Sequence, residues 1–203
     1  MNIPKCMLQL QGRALIDYQL DLMRDIPDVR IVVGYREMEV IRHVSSCWPD
    51  VSFVHNPDYA TTSNTHSLRL ASQNLTDPFI AVDGDLLIEP ESFRGFLASC
   101  RDAEDSIVGI TPRGTEEAIA VCLDDRQRVT GFLRSDQPGY DQAAYEWCGI
   151  AYVKDIRLEK NERYVFEELA KHLPLPSRVI ECYEIDTPRD LEQARQALNS
   201  FSP

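Results

Sequence analysis

The sequence predicts an α/β fold, a mixed, mostly parallel sheet with helices on both faces, as a single domain over residues 1–203. Three observations predict it. Short apolar runs alternate with segments of helical periodicity. One segment, 118–133, breaks that alternation and reads as an antiparallel hairpin. The 203 residues are 43% hydrophobic and 27% charged, which supports one buried core and excludes a disordered chain.

The elements follow in order. "ALIDYQLDLMRD" (14–25) predicts a helix, with Leu15, Tyr18, Leu22 and Met23 on one stripe. "VRIVV" (29–33) and "VSFVH" (51–55) predict strands. "THSLRLASQNL" (65–75) predicts a helix, "PFIAVDGD" (78–85) a strand and "ESFRGFLASCR" (91–101) a helix. "SIVGIT" (106–111) is a strand, and the hairpin of 118–133 turns at Asp124–Gln127. "CGIAYV" (148–153) is a strand, and helices close the chain at 164–173 and 189–199. Strands each followed by a helix give a Rossmann-like, doubly wound arrangement.

The formal net charge is -12 and the basic residues form no dense block, so a nucleic-acid backbone is excluded as partner. No apolar stretch is long enough to span a bilayer, and the first residues lack a secretory apolar region, so no membrane partner is expected. Cys6, Cys47, Cys100, Cys122, Cys148 and Cys182 are scattered without a C-x-x-C pair. They read as thiols of a reducing, cytoplasmic compartment rather than a disulfide frame or zinc site.

Five stretches hold candidate chemistry. In "AVDGDLLI" (81–88), Asp83 and Asp85 flank Gly84 at the carboxyl end of a strand, where ligands of α/β sheets bind. Hard divalent cations take carboxylate oxygen there; an aspartate turn or cap accounts for the same residues. In "ECYEIDTPRDLEQA" (181–194), Thr187, Pro188 and Asp190 make a helix entry, which leaves Asp186 without a structural duty. Asp85 and Asp186 could therefore share one metal. "NPDYATTSNTHSLRLA" (56–71) is either a loop and cap or a polar surface for a nucleobase edge. Lys5, after Pro4, is either an exposed lysine or one aimed at phosphate. Tyr140, Tyr145 and Trp147 lie among Asp136, Asp141 and Glu146, a composition that suits an ammonium group or a surface loop with Trp147 in the core.

The ordered set "IPKCMLQLQGRALIDYQL", "IVVGYR", "FVHNPDYATTSNTHSL", "AVDGDLLI", "WCGIAYV" and "YEIDTPRDLEQA" resembles the nucleotidyltransferases that activate phosphorylated small molecules. It is most similar to their phosphocholine and aminoethylphosphonate cytidylyltransferase branch, with sugar-1-phosphate nucleotidyltransferases more distant. The resemblance covers nearly the whole chain. It implies a nucleotide-diphospho-sugar transferase-like fold and transfer of CMP from CTP to a phosphate or phosphonate acceptor, with release of pyrophosphate. It implies Mg²⁺ held by Asp85 and Asp186, and Lys5 on phosphate. Asn64 and Ser67 would face the nucleotide with Asp85, and Tyr140, Tyr145, Glu146, Trp147 and Gly149 would lie beside the acceptor. A homodimer is allowed for.

The pattern departs in one place. Family members open with an apolar strand and a "LAAGxGxR"-like loop, whereas here Pro4 and Lys5 follow Met1 almost at once. The expectation is a domain missing its first strand and nucleotide loop, with the activity of these 203 residues in question. Three other readings remain: a sugar-1-phosphate nucleotidyltransferase, a glycosyltransferase using Asp83 and Asp85 as a D-x-D metal site, and a truncated non-catalytic relative.

Overall fold

A computed structural model describes residues 3–114, 118–158 and 164–201. All the candidate site residues lie within these spans, and the two ends of the expected domain lie outside them.

The chain begins with a 3-10 turn at Lys5–Met7 and a small hairpin, β1 (Gln9–Leu10) and β2 (Arg13–Ala14). Gln11 and Gly12 take positive φ between the two strands, as a two-residue hairpin turn requires. Helix α1 (Leu15–Leu22) buries Leu15, Ile16 and Leu20. It ends three residues short of the sequence expectation, because Pro27 biases the approaching chain away from helix. Strand β3 (Arg30–Val33) pairs in parallel with β4 (Ser52–His55) across helix α2 (Glu37–Cys47). That helix is absent from the sequence expectation. Only Val40 and Val44, one turn apart, are buried, so its apolar stripe is too narrow to stand out.

Helix α3 (Asn64–Ala71) leads to β5 (Phe79–Val82), β6 (Leu86–Ile88) and α4 (Pro90–Cys100). The expected strand of 78–85 is thus shorter, β5 running into a corner at 83–85, and β6 follows as a strand that the sequence expectation does not include. Pro90 opens α4, and the Glu89 carboxylate caps it by accepting from the N–H groups of Glu91 and Ser92. Then come β7 (Ile107–Pro112), the hairpin β8 (Ala120–Leu123) and β9 (Arg128–Leu133), and β10 (Tyr145–Val153). The chain ends with α5 (Val165–Leu169), β11 (Leu175–Val179), β12 (Cys182–Glu184) and α6 (Pro188–Leu198). Thr187 and Asp190 form the capping box of α6 that the sequence predicts. Strand β11 escapes sequence reading because Pro174 and Pro176 mark its segment as a loop.

The main sheet has six strands in the order β5-β10-β7-β11-β9-β8, and β12 pairs with β6 in a separate ladder. The sheet is mixed, as expected, but its ladders are not mostly parallel. β5, β7, β8 and β11 point one way, yet β10 enters against β5, β7 and β8, and β9 runs against β8 and β11. Only β7 and β11 pair in parallel within this sheet, among the described residues. A continuous apolar run does not reveal which neighbour it will join, so the sequence carries no sign of this interleaving.

Successive residues face opposite cores. Ile107 and Ile150 pack with Phe93 and Phe96 of α4, while Val108 and Ala151 pack with Val165 and Leu169 of α5. The period of two therefore places helices on both faces of the sheet. No helix among the described residues is long and apolar enough to cross a membrane.

Candidate active site

The site forms at the corner between β5 and β6. The Asp83 N–H donates to the Gly149 carbonyl at 3.0 Å, adding one rung to the β5–β10 ladder. There β10 bulges and Gly149 takes φ +76°. A Cβ on Gly149 would stand 2.8 Å from Asp83 Oδ2, so the glycine is required by both its conformation and the approach of the carboxylate. The chain then turns through Gly84, and the Ile185 N–H donates to the Asp85 carbonyl at 3.0 Å. This bond, continuing the β6–β12 ladder, carries the segment of Asp186 alongside that of Asp85.

Lys5 completes the cluster. Pro4 and the 3-10 turn set its backbone, with the Leu8 N–H bonded to the Lys5 carbonyl. Its Nζ lies 3.1 Å from Asp85 Oδ2 and also donates to Asp186 Oδ1. Burial lowers the Lys5 pKa, but the hydrogen bond to Asp186 and the Asp85 charge outweigh it, and the net shift is upward. Ligand oxygens of Asp85, Glu184 and Asp186 all lie within 4.8 Å of one another. Glu184 is a site residue that the sequence reading missed. Its signal was the alternation in Glu-Ile-Asp, which turns Glu184 and Asp186 to one side while Ile185 goes to the core.

Two acids of this corner hold protons unusually well. Asp83 is raised to about 7, first by burial and then by the Asp85 charge, against a hydrogen bond from Asn64. Glu184 is also raised to about 7, by desolvation and then by the charges of Asp85, Asp186 and Asp83. Asp83 thus faces Gly149 and Asn64 instead of joining the three-carboxylate group.

The structure places Asn64 beside Asp83, in the first turn of α3, with its Oδ1 buried and without a hydrogen-bond partner. One turn on, Ser67 accepts a hydrogen bond from the Asn56 amide at 3.0 Å. Asn56 also donates to Thr62 at 3.1 Å and accepts from the Asp58 N–H. It organises the loop that enters α3.

Of the expected acceptor residues, Gly149 lies against Asp83, and the others have local partners of their own. Tyr140 is buried, its hydroxyl donates to the Ala118 carbonyl, and the Arg113 guanidinium lies 3.8 Å from its ring centroid. Its aromatic face therefore carries a cation of the protein itself. Glu146 accepts from the Gly114 N–H at 2.9 Å, one strand position away from Tyr145 and Trp147. Trp147 meets Phe132 edge-on at 6.3 Å, and Phe132 meets Phe166 at 5.7 Å. Tyr145 packs against the same core. The Arg134 guanidinium stands 5.3 Å from the rings of both Tyr164 and Phe166 and is paired with Glu167. The aromatic group around Trp147 thus recruits Phe132, Tyr164 and Phe166, which sequence reading left out because they come from separate elements.

An α/β sheet with an acidic, lysine-bridged corner at the end of β5 presents charged groups where ligands bind in such folds. Residues 1–162 match the MobA-like NTP transferase domain, and the chain belongs to that family. A choline-phosphate cytidylyltransferase of Streptococcus pneumoniae is 31% identical over 98 residues, covering 47% of this chain and 42% of that protein. A CMP-5'-(3-aminopropyl)phosphonate synthase of Streptomyces rubellomurinus is 24% identical over 183 residues, covering 84% of this chain and 28% of that protein. The chain thus spans less than half the length of either relative. Among solved structures, a CTP:phosphocholine cytidylyltransferase from Streptococcus pneumoniae has the same fold, with a TM-score of 0.73 at 23% identity, over 97% of this chain and 90% of that one.

Proposed function

We propose that the chain is a Mg²⁺-dependent cytidylyltransferase that joins CMP from CTP to a small acceptor carrying a phosphate or phosphonate and an amine. One observation carries this reading. The Lys5 ammonium bridges Asp85 and Asp186, so the space between the two carboxylates already accepts a cation. Three carboxylates are hard oxygen donors, and Mg²⁺ takes one or two such groups together with substrate phosphates. Asp85 and Asp186, with Glu184 beside them, would hold the ion. When bound, it supplies positive charge at the phosphate oxygens.

The reaction needs no covalent intermediate. An acceptor oxygen attacks the α-phosphorus of CTP, the bond to the bridging oxygen of the β-phosphate breaks, and pyrophosphate leaves. Lys5, released from the carboxylates, contacts the phosphates and offsets their charge. Asn64 and Ser67 orient the nucleotide from the first two turns of α3, with Asp83 beside Asn64. Glu146 and the aromatic group of Tyr145 and Trp147 favour an amine-bearing acceptor, since a cation over a ring gains about 0.5–2 kcal/mol. The names of the two curated relatives, one for choline-phosphate and one for an aminopropylphosphonate, support that acceptor class. The need for CTP supports action in the cytoplasm.

The test is a ³¹P NMR panel with CTP and Mg²⁺, run on this chain and on the whole product of its reading frame. Pyrophosphate release with phosphocholine or 2-aminoethylphosphonate is the expected result. Faster turnover of a hexose-1-phosphate would replace the acceptor assignment. Sugar release from a nucleotide-sugar would favour a glycosyltransferase, and no turnover in any arm a non-catalytic relative.

A further inference from the structure

We infer that Gln19 is a positioning residue, whose side-chain amide fixes the turn that presents Asp85; this rests on the reading of Asp85 as a cation ligand. Helix α1 turns a buried face to the protein through Leu15, Ile16 and Leu20, and Gln19 lies in that face at 7% exposure. An apolar side chain would complete such a face, and an amide there must find partners. Gln19 Nε2 donates to two carbonyls, Asp83 at 3.0 Å and Leu86 at 2.8 Å. These are the first and last residues of the corner, and Gly84 and Asp85 lie between them. One nitrogen therefore ties both ends of the four-residue turn to α1.

The other bonds of the corner do not replace this one. The Asp83 N–H is held by Gly149 on β10, and the Asp85 carbonyl by Ile185 beyond β12. Both tie the corner to strands and neither reaches α1. Helix α1 is also the element that carries Lys5, through the Leu15 N–H on the Leu8 carbonyl and the Leu8 N–H on the Lys5 carbonyl. Gln19 thus sets the Lys5 segment and the Asp85 turn in one frame, and a small error in that frame would misplace the charged groups.

The experiment compares Gln19→Met, which keeps the volume and removes the donor, with Gln19→Asn, whose amide is one methylene too short for both carbonyls. Leu20→Ala, which thins the same helix face, is the control. Hydrogen exchange is followed by mass spectrometry for peptides over 83–88, and Mn²⁺ affinity by calorimetry. In both Gln19 variants exchange over 83–88 should quicken about tenfold while α4 and β7 stay within about twofold of wild type. Mn²⁺ affinity should fall about tenfold in parallel. Leu20→Ala should lower the melting temperature without singling out that segment. Exchange over 83–88 that matches wild type in Gln19→Met overturns the inference. A wild-type chain that takes no Mn²⁺ overturns the metal reading instead, and the exchange data then decide on Gln19.

Discussion

Lys5 Nζ lies 3.1 Å from Asp85 Oδ2, and the same ammonium donates to Asp186 Oδ1. The Lys5 side chain is 44% exposed, that of Asp85 20% and that of Asp186 53%. Water screens such a group, and exposed pairs of this kind contribute about 0–1 kcal/mol. The arrangement does little for folding. It holds three charges at one point beyond the end of β5, where a cation can be exchanged for another.

Lys5→Met should therefore separate stability from activity. The melting temperature should move by less than about 4 °C, while turnover of CTP falls about 10²–10³-fold. Mn²⁺ affinity should rise, because the competing ammonium is gone. Calorimetry and initial rates check all three. A large loss of stability with the rate intact would assign Lys5 to the fold instead.

Asp85→Asn should abolish turnover and leave folding largely unchanged. The amide keeps the shape of the side chain and removes the charge that the cation needs. It also removes one cause of the upward shifts of Asp83 and Glu184, whose titrations should move back down, as carboxyl ¹³C NMR would show. Unchanged activity in this variant would remove Asp85 from the mechanism.

The metal-free chain should lose stability as pH rises. Asp83 and Glu184 titrate at about 7 in the folded chain, against 3.8 and 4.5 as ordinary carboxyl groups. Between those limits the folded state binds more protons than the unfolded state, so stability declines as pH rises and levels off above about 7. Mg²⁺ should flatten that decline by favouring the charged carboxylates. Denaturant titrations at pH 5 and pH 8, with and without Mg²⁺, measure it. Greater stability at pH 8 in the absence of metal contradicts these shifts.

Gly149→Ala should destabilise the chain by about 2–4 kcal/mol, from a left-handed backbone position and a Cβ forced against Asp83 Oδ2. In an Asp83→Ala background the closest clash should be relieved, while the backbone part and the 3.2 Å contacts with the residue-83 Cβ and Leu86 Cδ1 remain. Additive effects in that double-mutant cycle would show that the two residues do not meet.

The sequence made much of this legible. Thr187, Pro188 and Asp190 announce the start of α6, because a cap is a local device. Asp85 and Asp186 stand out because each follows an apolar run and neither serves a cap. What stayed hidden is set by pairing at long range. Nothing local in Tyr145–Val153 says that it will run antiparallel between β5 and β7. Gln19 reads as one polar residue on an amphipathic helix until the carbonyls of Asp83 and Leu86 appear beneath it. Tyr140 reads as an open ring until Arg113 is found on its face.

The most direct test of the central claim is a Mn²⁺ titration followed by electron paramagnetic resonance, on the wild-type chain, Asp85→Asn and Asp186→Asn. The account predicts one ion per wild-type chain and, in each variant, affinity weakened about tenfold or more, as the loss of a charged ligand oxygen requires. CTP should strengthen binding in the wild type, since its phosphates share the ion. Equal affinity in all three proteins would contradict the account, because the corner between β5 and β6 would then not be where the cation sits.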